Sequence, residues 1–257
     1  MTIQLSYNDE HDDNDWGAKF YKIVDNVGLD NIFVCHTTIT DISKIANKLS
    51  EKVMDNFWVT DLDITPRRSY EGIVAKTAEK LVGIFNNAIT VDGRVASQFG
   101  EIMVSMGASR ALEIIFSHIS VPISELWKPK LSGNEGFDFH TVCPDNIINF
   151  GEAKFSSSNG QSPYGGISGE SSGAGGQADG FIGETTHHKD GVHLVHLVEK
   201  DAMDNFNSDV FGVVLAFSLN GNNPLIVLKN AIQKVSTYEN LKQAKNIYIV
   251  GISHAAT

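Results

Sequence analysis

The stretch GFDFHTVCPDNIINFGEAKFS, Gly136–Ser156, decides how the rest of the chain is read. Two strand-like runs flank Pro144-Asp145-Asn146, three residues of strong turn type, so the segment reads as a β-hairpin. Into that hairpin the chain places Asp138, Glu152 and Lys154. Ionised side chains are rarely buried unless they are paired or coordinate a metal. Strand side chains alternate faces, so Glu152 and Lys154 share a face, and Asp138 and His140 share one on the preceding strand. A turn at residues 144–146 pairs Cys143 with Ile147. Stepping outward then puts Asp138 directly opposite Glu152, with Cβ atoms roughly 4.5–5.5 Å apart. A loop one residue longer or shorter would send the two carboxylates to opposite faces.

Two like charges this close repel and raise one pKa. A divalent cation between them removes the conflict, and oxygen donors of this kind suit Mg²⁺ or Mn²⁺. Lys154 would then project beside the metal, where it can orient a water or stabilise charge on a phosphate. Asp138, Glu152 and Lys154 on one face are therefore equipment for cutting a phosphodiester with a metal-activated water. The same residues also read as a structural ion pair, Lys154 with Glu152 or Asp138. Glu101, in QFGEIMVS on an upstream helical pattern, adds a further acid to the metal-binding reading. His140 either touches substrate or hydrogen-bonds within the sheet.

Outward from the hairpin, residues 156–180 hold eight glycines and seven serines and read as a mobile loop beside the site. A helix is expected from near Ala174 towards His188. VFGVVLAFSL (Val210–Leu219) reads as a strand buried on both faces. NNPLIVLKNAIQKVSTYENLK reads as an amphipathic helix with Pro224 in its first turn, and NIYIVGIS as a closing strand. Upstream, helices are expected over about Ile42–Met54 (Ile42, Ile45, Ala46, Leu49 and Val53 on one side), Tyr70–Asn87 and Val95–His118. NIFVCHTT and DNFWVTDLD look strand-like, TPRRSYEG reads as a connection, and a strand is expected near Ile123–Trp127. The order from Val95 onward is helix, three strands, helix, strand, helix, strand, an α/β sandwich with a mixed sheet. Residues 1–68 are expected to form an N-terminal α/β segment packed on a core of residues 69–257.

The bounds of the whole chain agree with a cytoplasmic globular protein. It has 257 residues, 42% of them hydrophobic, and no run of 18 apolar residues, so no membrane span is expected. The start, MTIQLSYNDEHDDND, lacks the basic end and apolar centre of a signal peptide. Cys35 and Cys143 form neither a disulfide framework nor a metal spacing. Net charge is −11, and part of it lies in Asp9, Glu10, Asp12, Asp13 and Asp15, read as a solvated loop or tail; the spacing and glycine of an EF-hand are missing. A surplus of this sign argues against strong unaided binding to nucleic acid. His187, His188, His193 and His196 could be weighed for zinc, but nothing nearby completes such a set, and they read as surface or packing histidines. No P-loop is present, so ATP hydrolysis is not expected.

GFD, the fourteen-residue spacing from Asp138 to Glu152, and EAK together resemble the PD-(D/E)xK nuclease superfamily. The set FGEIMVS, GFDFHTV and INFGEAKFS is most similar to its HamA branch, the nuclease subunits of the Hachiman anti-phage system. The resemblance covers about Arg94 to the C-terminus. It implies a restriction-endonuclease-like core, a central mixed β-sheet flanked by helices. It also implies a metal-dependent DNA endonuclease that works with a helicase subunit (HamB-like). The metal, Mg²⁺ or Mn²⁺, would be held by Asp138 and Glu152, with Glu101 helping directly or through water, and Lys154 would position the attacking water. Gln177 stands where some members place a glutamine near the site; on its own it reads as a helix-surface residue. The alternatives are a free-standing restriction endonuclease and a nuclease-fold binding subunit without catalysis.

Overall fold

Helical and strand-like patterns alternate along the chain, and the structure gathers eight strands into one mixed sheet flanked by helices. It is a computed structural model that describes residues 3–25, 28–128, 136–156, 173–220 and 223–254. Strands β1 (Leu5–Asp13), β2 (Ala18–Asp25) and β3 (Ile32–Ile39) form an antiparallel meander. The early acidic run from Asp9 to Asp13 is thus a strand, not a loop or tail, and only Asp15 lies in the turn that follows. Its side chains stay mostly exposed, so the charges are solvated while the backbone is paired on one side. Charge on an edge strand discourages further strand pairing.

Helix α1 (Ile42–Met54) buries the five expected apolar residues, and Asp41 caps it by accepting the Lys44 amide at 3.0 Å. DNFWVTDLD is not a strand: Phe57–Thr60 is a short helix, α2. TPRRSYEG is not a connection but part of α3 (Ile64–Phe85), with Pro66 in the first turn, where the missing N–H has no intrahelical partner to lose. Helix α4 (Ser97–Phe116) follows. The strand expected near Ile123–Trp127 is instead a helical turn, α5 (Ser124–Trp127); the first of the three strands is the two-residue β4 (Ile119–Ser120).

The hairpin is β5 (Phe139–Val142) and β6 (Ile148–Lys154). Beyond it come α6 (Ala174–Gly183), α7 (His187–Leu194), α8 (Lys200–Asn207), β7 (Gly212–Ser218), α9 (Pro224–Val235) and β8 (Asn246–His254). The helix expected up to His188 stops at Gly183, and Thr185 in the left-handed region (φ 55) separates it from α7. The last long helix ends at Val235 rather than continuing to Lys242; residues 240–243 form a single 3₁₀ turn. Most of the Gly/Ser-rich loop, residues 157–172, lies outside the described residues.

The sheet order is β1-β2-β3-β8-β7-β6-β5-β4, with β3, β8, β7 and β6 mutually parallel. It runs continuously from the N-terminal meander into the hairpin, joined through β3 and β8. Helix α4 packs across one face, and α1 and α3 pack outside it; α6 and α8 cover β6 on the other face, and α9 covers β8. Strand β7 is buried along its whole length, as a two-sided cover requires. Among the described residues no helix is long and apolar enough to cross a membrane.

Candidate active site

The hairpin turn is the expected one: Asn146 takes the left-handed conformation (φ 57), its amide donates to the Cys143 carbonyl at 2.9 Å, and Cys143 N–H donates to Ile147 O at 3.0 Å. The ladder then runs Val142 with Ile148 out to Phe139 with Gly151. Asp138 lies one step beyond it. A continued register would face it with Glu152, but the ladder breaks there. The Asp138 amide donates to Gly151 O at 2.9 Å, and its Oδ2 accepts the Ala153 amide at 2.8 Å. The carboxylate thus replaces a backbone acceptor on the facing strand.

Glu152 is nearly inaccessible, at 1% side-chain exposure, against 25% for Lys154. Its Oε1 accepts from Lys154 Nζ at 2.5 Å, while Oε2 is buried with no hydrogen-bond partner among the described residues. Burial and then the Asp138 charge push the Glu152 carboxyl well above its ordinary value, and Lys154 offsets this only in part. Asp138 is raised chiefly by burial, against the Ala153 amide and Lys154, which lower it. Burial would lower Lys154, but contact with Glu152 and the fields of Asp138 and Glu101 outweigh it and raise its pKa.

Glu101 comes from the first turns of α4 and is exposed. Helix α4 reaches the end of β6 because Gly100 has no side chain; an added Cβ would overlap the Phe155 ring. The charge of Glu101 acts on Asp138 and Lys154. Gln177, on α6, is half-buried. Among the described residues no three His, Cys, Asp or Glu side chains converge closely enough to hold a metal ion. The donors that suit a hard cation are therefore two carboxylates and water, a set that Mg²⁺ accepts because it keeps several waters. The unpartnered Glu152 oxygen beside Asp138 fits such an ion.

Three residues at the site escaped the sequence reading. Glu125 sits on α5, and its Oε2 is shut off from solvent with no hydrogen-bond partner among the described residues. Burial first, then the charge of Asp138, pushes its carboxyl up to about 8. Lys128 and Asp190 form a buried ion pair at 3.0 Å beneath the Gly136–Asp138 segment. The Asp190 Oδ2 lies 3.1 Å from His140 Nε2, and Ser124 Oγ is 3.5 Å from His140 Nδ1. This is a Ser–His–Asp series in composition only. Ser124 is buried and donates its proton to Phe137 O at 2.9 Å, so it is not an available nucleophile. His140 thus bonds within the protein; its pKa is lowered by burial, against the pull of Asp190. The later histidines pack: His193 Nδ1 is 2.8 Å from Tyr70 Oη, and the His187 ring lies among Phe150, Phe206 and Phe211.

No family model, curated protein or solved structure matches the chain.

Proposed function

We propose that the chain is a metal-dependent DNA endonuclease with a restriction-endonuclease-like core, the effector subunit of an anti-phage complex whose helicase partner brings it DNA in the cytoplasm. The carrying observation is Glu152: it is buried, held at one oxygen by Lys154, and offers its other oxygen, unpartnered, beside Asp138. A carboxylate in that position costs free energy unless a cation or proton joins it. The order α4, β4, β5, β6, α6, β7, interrupted by α5 before β5 and by α7 and α8 before β7, supports the core assignment.

Asp138 and Glu152 would hold Mg²⁺ or Mn²⁺, with Glu101 acting through water and Glu125 close by. Such an ion, when bound, supplies Lewis-acid activation of water and phosphate. The chain's own residues do the rest. Lys154 keeps its proton, since its pKa is raised, so it acts as a fixed cation that orients water or stabilises phosphate charge, not as a general base. The Ala153 amide holds one Asp138 oxygen in place.

The second reading is a nuclease-fold binding subunit without catalysis. It is favoured by the direct Lys154–Glu152 bond and by the lack of three converging ligands among the described residues. Plasmid incubated with the chain and Mg²⁺ or Mn²⁺, alone and with its helicase partner, separates the cases. Nicking or linearisation that disappears in Glu152→Gln supports the nuclease. Cleavage without any partner points to a free-standing restriction endonuclease, and no cleavage under any condition to the binding subunit.

A further inference from the structure

We propose that the buried Lys128–Asp190 pair is a positioning device that aims the Asp138 carboxylate at the Glu152 side of the site. The proposal rests on the metal-dependent reading above. Side-chain exposure is 4% for Lys128 and 2% for Asp190. Together they grip both peptide groups of one residue. Asp190 Oδ2 accepts the Phe137 amide at 3.0 Å, and Lys128 Nζ donates to the Phe137 carbonyl at 2.6 Å. Ser124 adds Oγ to the same carbonyl at 2.9 Å, and its amide donates to the Asp138 carbonyl at 3.2 Å. His140 Nε2–H completes the Asp190 shell.

Two features separate this from an ordinary core ion pair. First, a fully buried pair contributes little net stability, because the loss of hydration offsets the attraction; well-packed apolar residues do as well. What opposite charges provide here is direction, since one accepts from the N–H and the other donates to the C=O of the same residue. Second, the backbone is shaped around the pair. Gly136 has φ +104, and an added Cβ would sit 2.5 Å from Asp190 Oδ1 and 2.9 Å from Lys128 Nζ. The residue fixed by these bonds immediately precedes Asp138. Its peptide planes set the Cα–Cβ direction from which the Asp138 carboxylate reaches the Ala153 amide and the open side of Glu152. Asp190 stands on α7, so the helical layer over β6 is tied to the aim of a carboxylate across the sheet edge.

The test uses Mn²⁺ alone as probe on the full chain, followed by calorimetry or by electron paramagnetic resonance of the free ion, with thermal melts alongside. The variants are Asp190→Asn and the double Lys128→Met/Asp190→Asn, which removes both charges and keeps an oxygen for the Phe137 amide. The double variant is expected to fold and melt near wild type, to bind Mn²⁺ at least tenfold more weakly, and to regain DNA cleavage when Mn²⁺ is raised by that factor. A folded double variant with wild-type Mn²⁺ affinity would overturn the positioning role while leaving the metal site intact. Loss of the fold in both variants would assign the pair to the core and overturn it equally. Wild-type protein that takes up no Mn²⁺ would instead remove the metal reading, and the proposal with it.

Discussion

The Asp138 carboxylate accepts the Ala153 amide at 2.8 Å, so one of its oxygens serves the sheet while the other is left for the site. The two duties are separable. Asp138→Asn keeps an oxygen acceptor for Ala153 and removes a charge that repels Glu152. Its metal-free melting temperature is expected to equal or exceed that of wild type, with Mn²⁺ uptake and cleavage lost. Asp138→Ala leaves a buried amide unpaired and should lose about 1–3 kcal/mol of stability. Melts of both variants without metal check this; equal destabilisation of both would assign Asp138 to structure alone.

Lys154→Ala is expected to lower cleavage by about 10²-fold or more, the scale for removing one charge-stabilising group, while circular dichroism stays that of wild type. The side chain is partly exposed, so its removal opens no core cavity. Glu152 is left without its cation, but its raised pKa lets it take up a proton instead. A folded mutant with wild-type cleavage would remove Lys154 from the mechanism.

Glu125 gives a pH signature. Its folded-state pKa, about 8, lies above the usual 4.5, so between those values the folded protein holds a proton that the unfolded chain has released. Stability from this group is intact below about pH 4.5 and declines as pH rises towards 8. Glu125→Gln should melt with wild type near pH 4.5 and several degrees higher at pH 8, on the order of a few kcal/mol. Parallel melting profiles for the two proteins across that window would show that Glu125 is not held in this state.

With 31 acidic against 20 basic residues, the lone chain is expected to bind duplex DNA with a dissociation constant weaker than about 1 μM at near-physiological salt. Adding the helicase partner should tighten binding by at least about 10²-fold. Fluorescence anisotropy over a salt series measures both. Tight binding by the chain alone would favour the free-standing restriction endonuclease.

What could be read in the sequence depended on the range of the interaction. Ile42, Ile45, Ala46, Leu49 and Val53 follow a helical repeat, and all are buried on α1. The turn at 144–146 fixed the hairpin register because turn chemistry is local. Ser124–Trp127 is too short for periodicity to separate helix from strand, and reading it as a strand hid Glu125. Phe57–Thr60 failed for the same reason. Asp190 stands in a histidine-rich run; its contact with Phe137 spans 53 positions, and no local pattern announces it. The break of the ladder at Asp138 was equally invisible, since a side chain there takes a place that regular pairing gives to the backbone.

The central position of β8 has a consequence for how the chain is made. His36 Nε2 and Ser253 Oγ lie 2.7 Å apart across 217 positions of sequence. At ribosomal speeds of roughly 5–20 residues per second, the inner edge of β3 waits about 10–40 s for the strand that will cover it. During that interval the meander β1–β3 presents one edge fringed with carboxylates and another bare. The bare edge is where a nascent chain would pair wrongly or be held by a chaperone. Strand β7, which supports β6 and Glu152, also lacks its second neighbour until β8 emerges. The sheet beneath the site is therefore completed only once residues 246–254 have emerged, and a chain cut short before residue 246 would carry the site residues but no finished sheet to hold them.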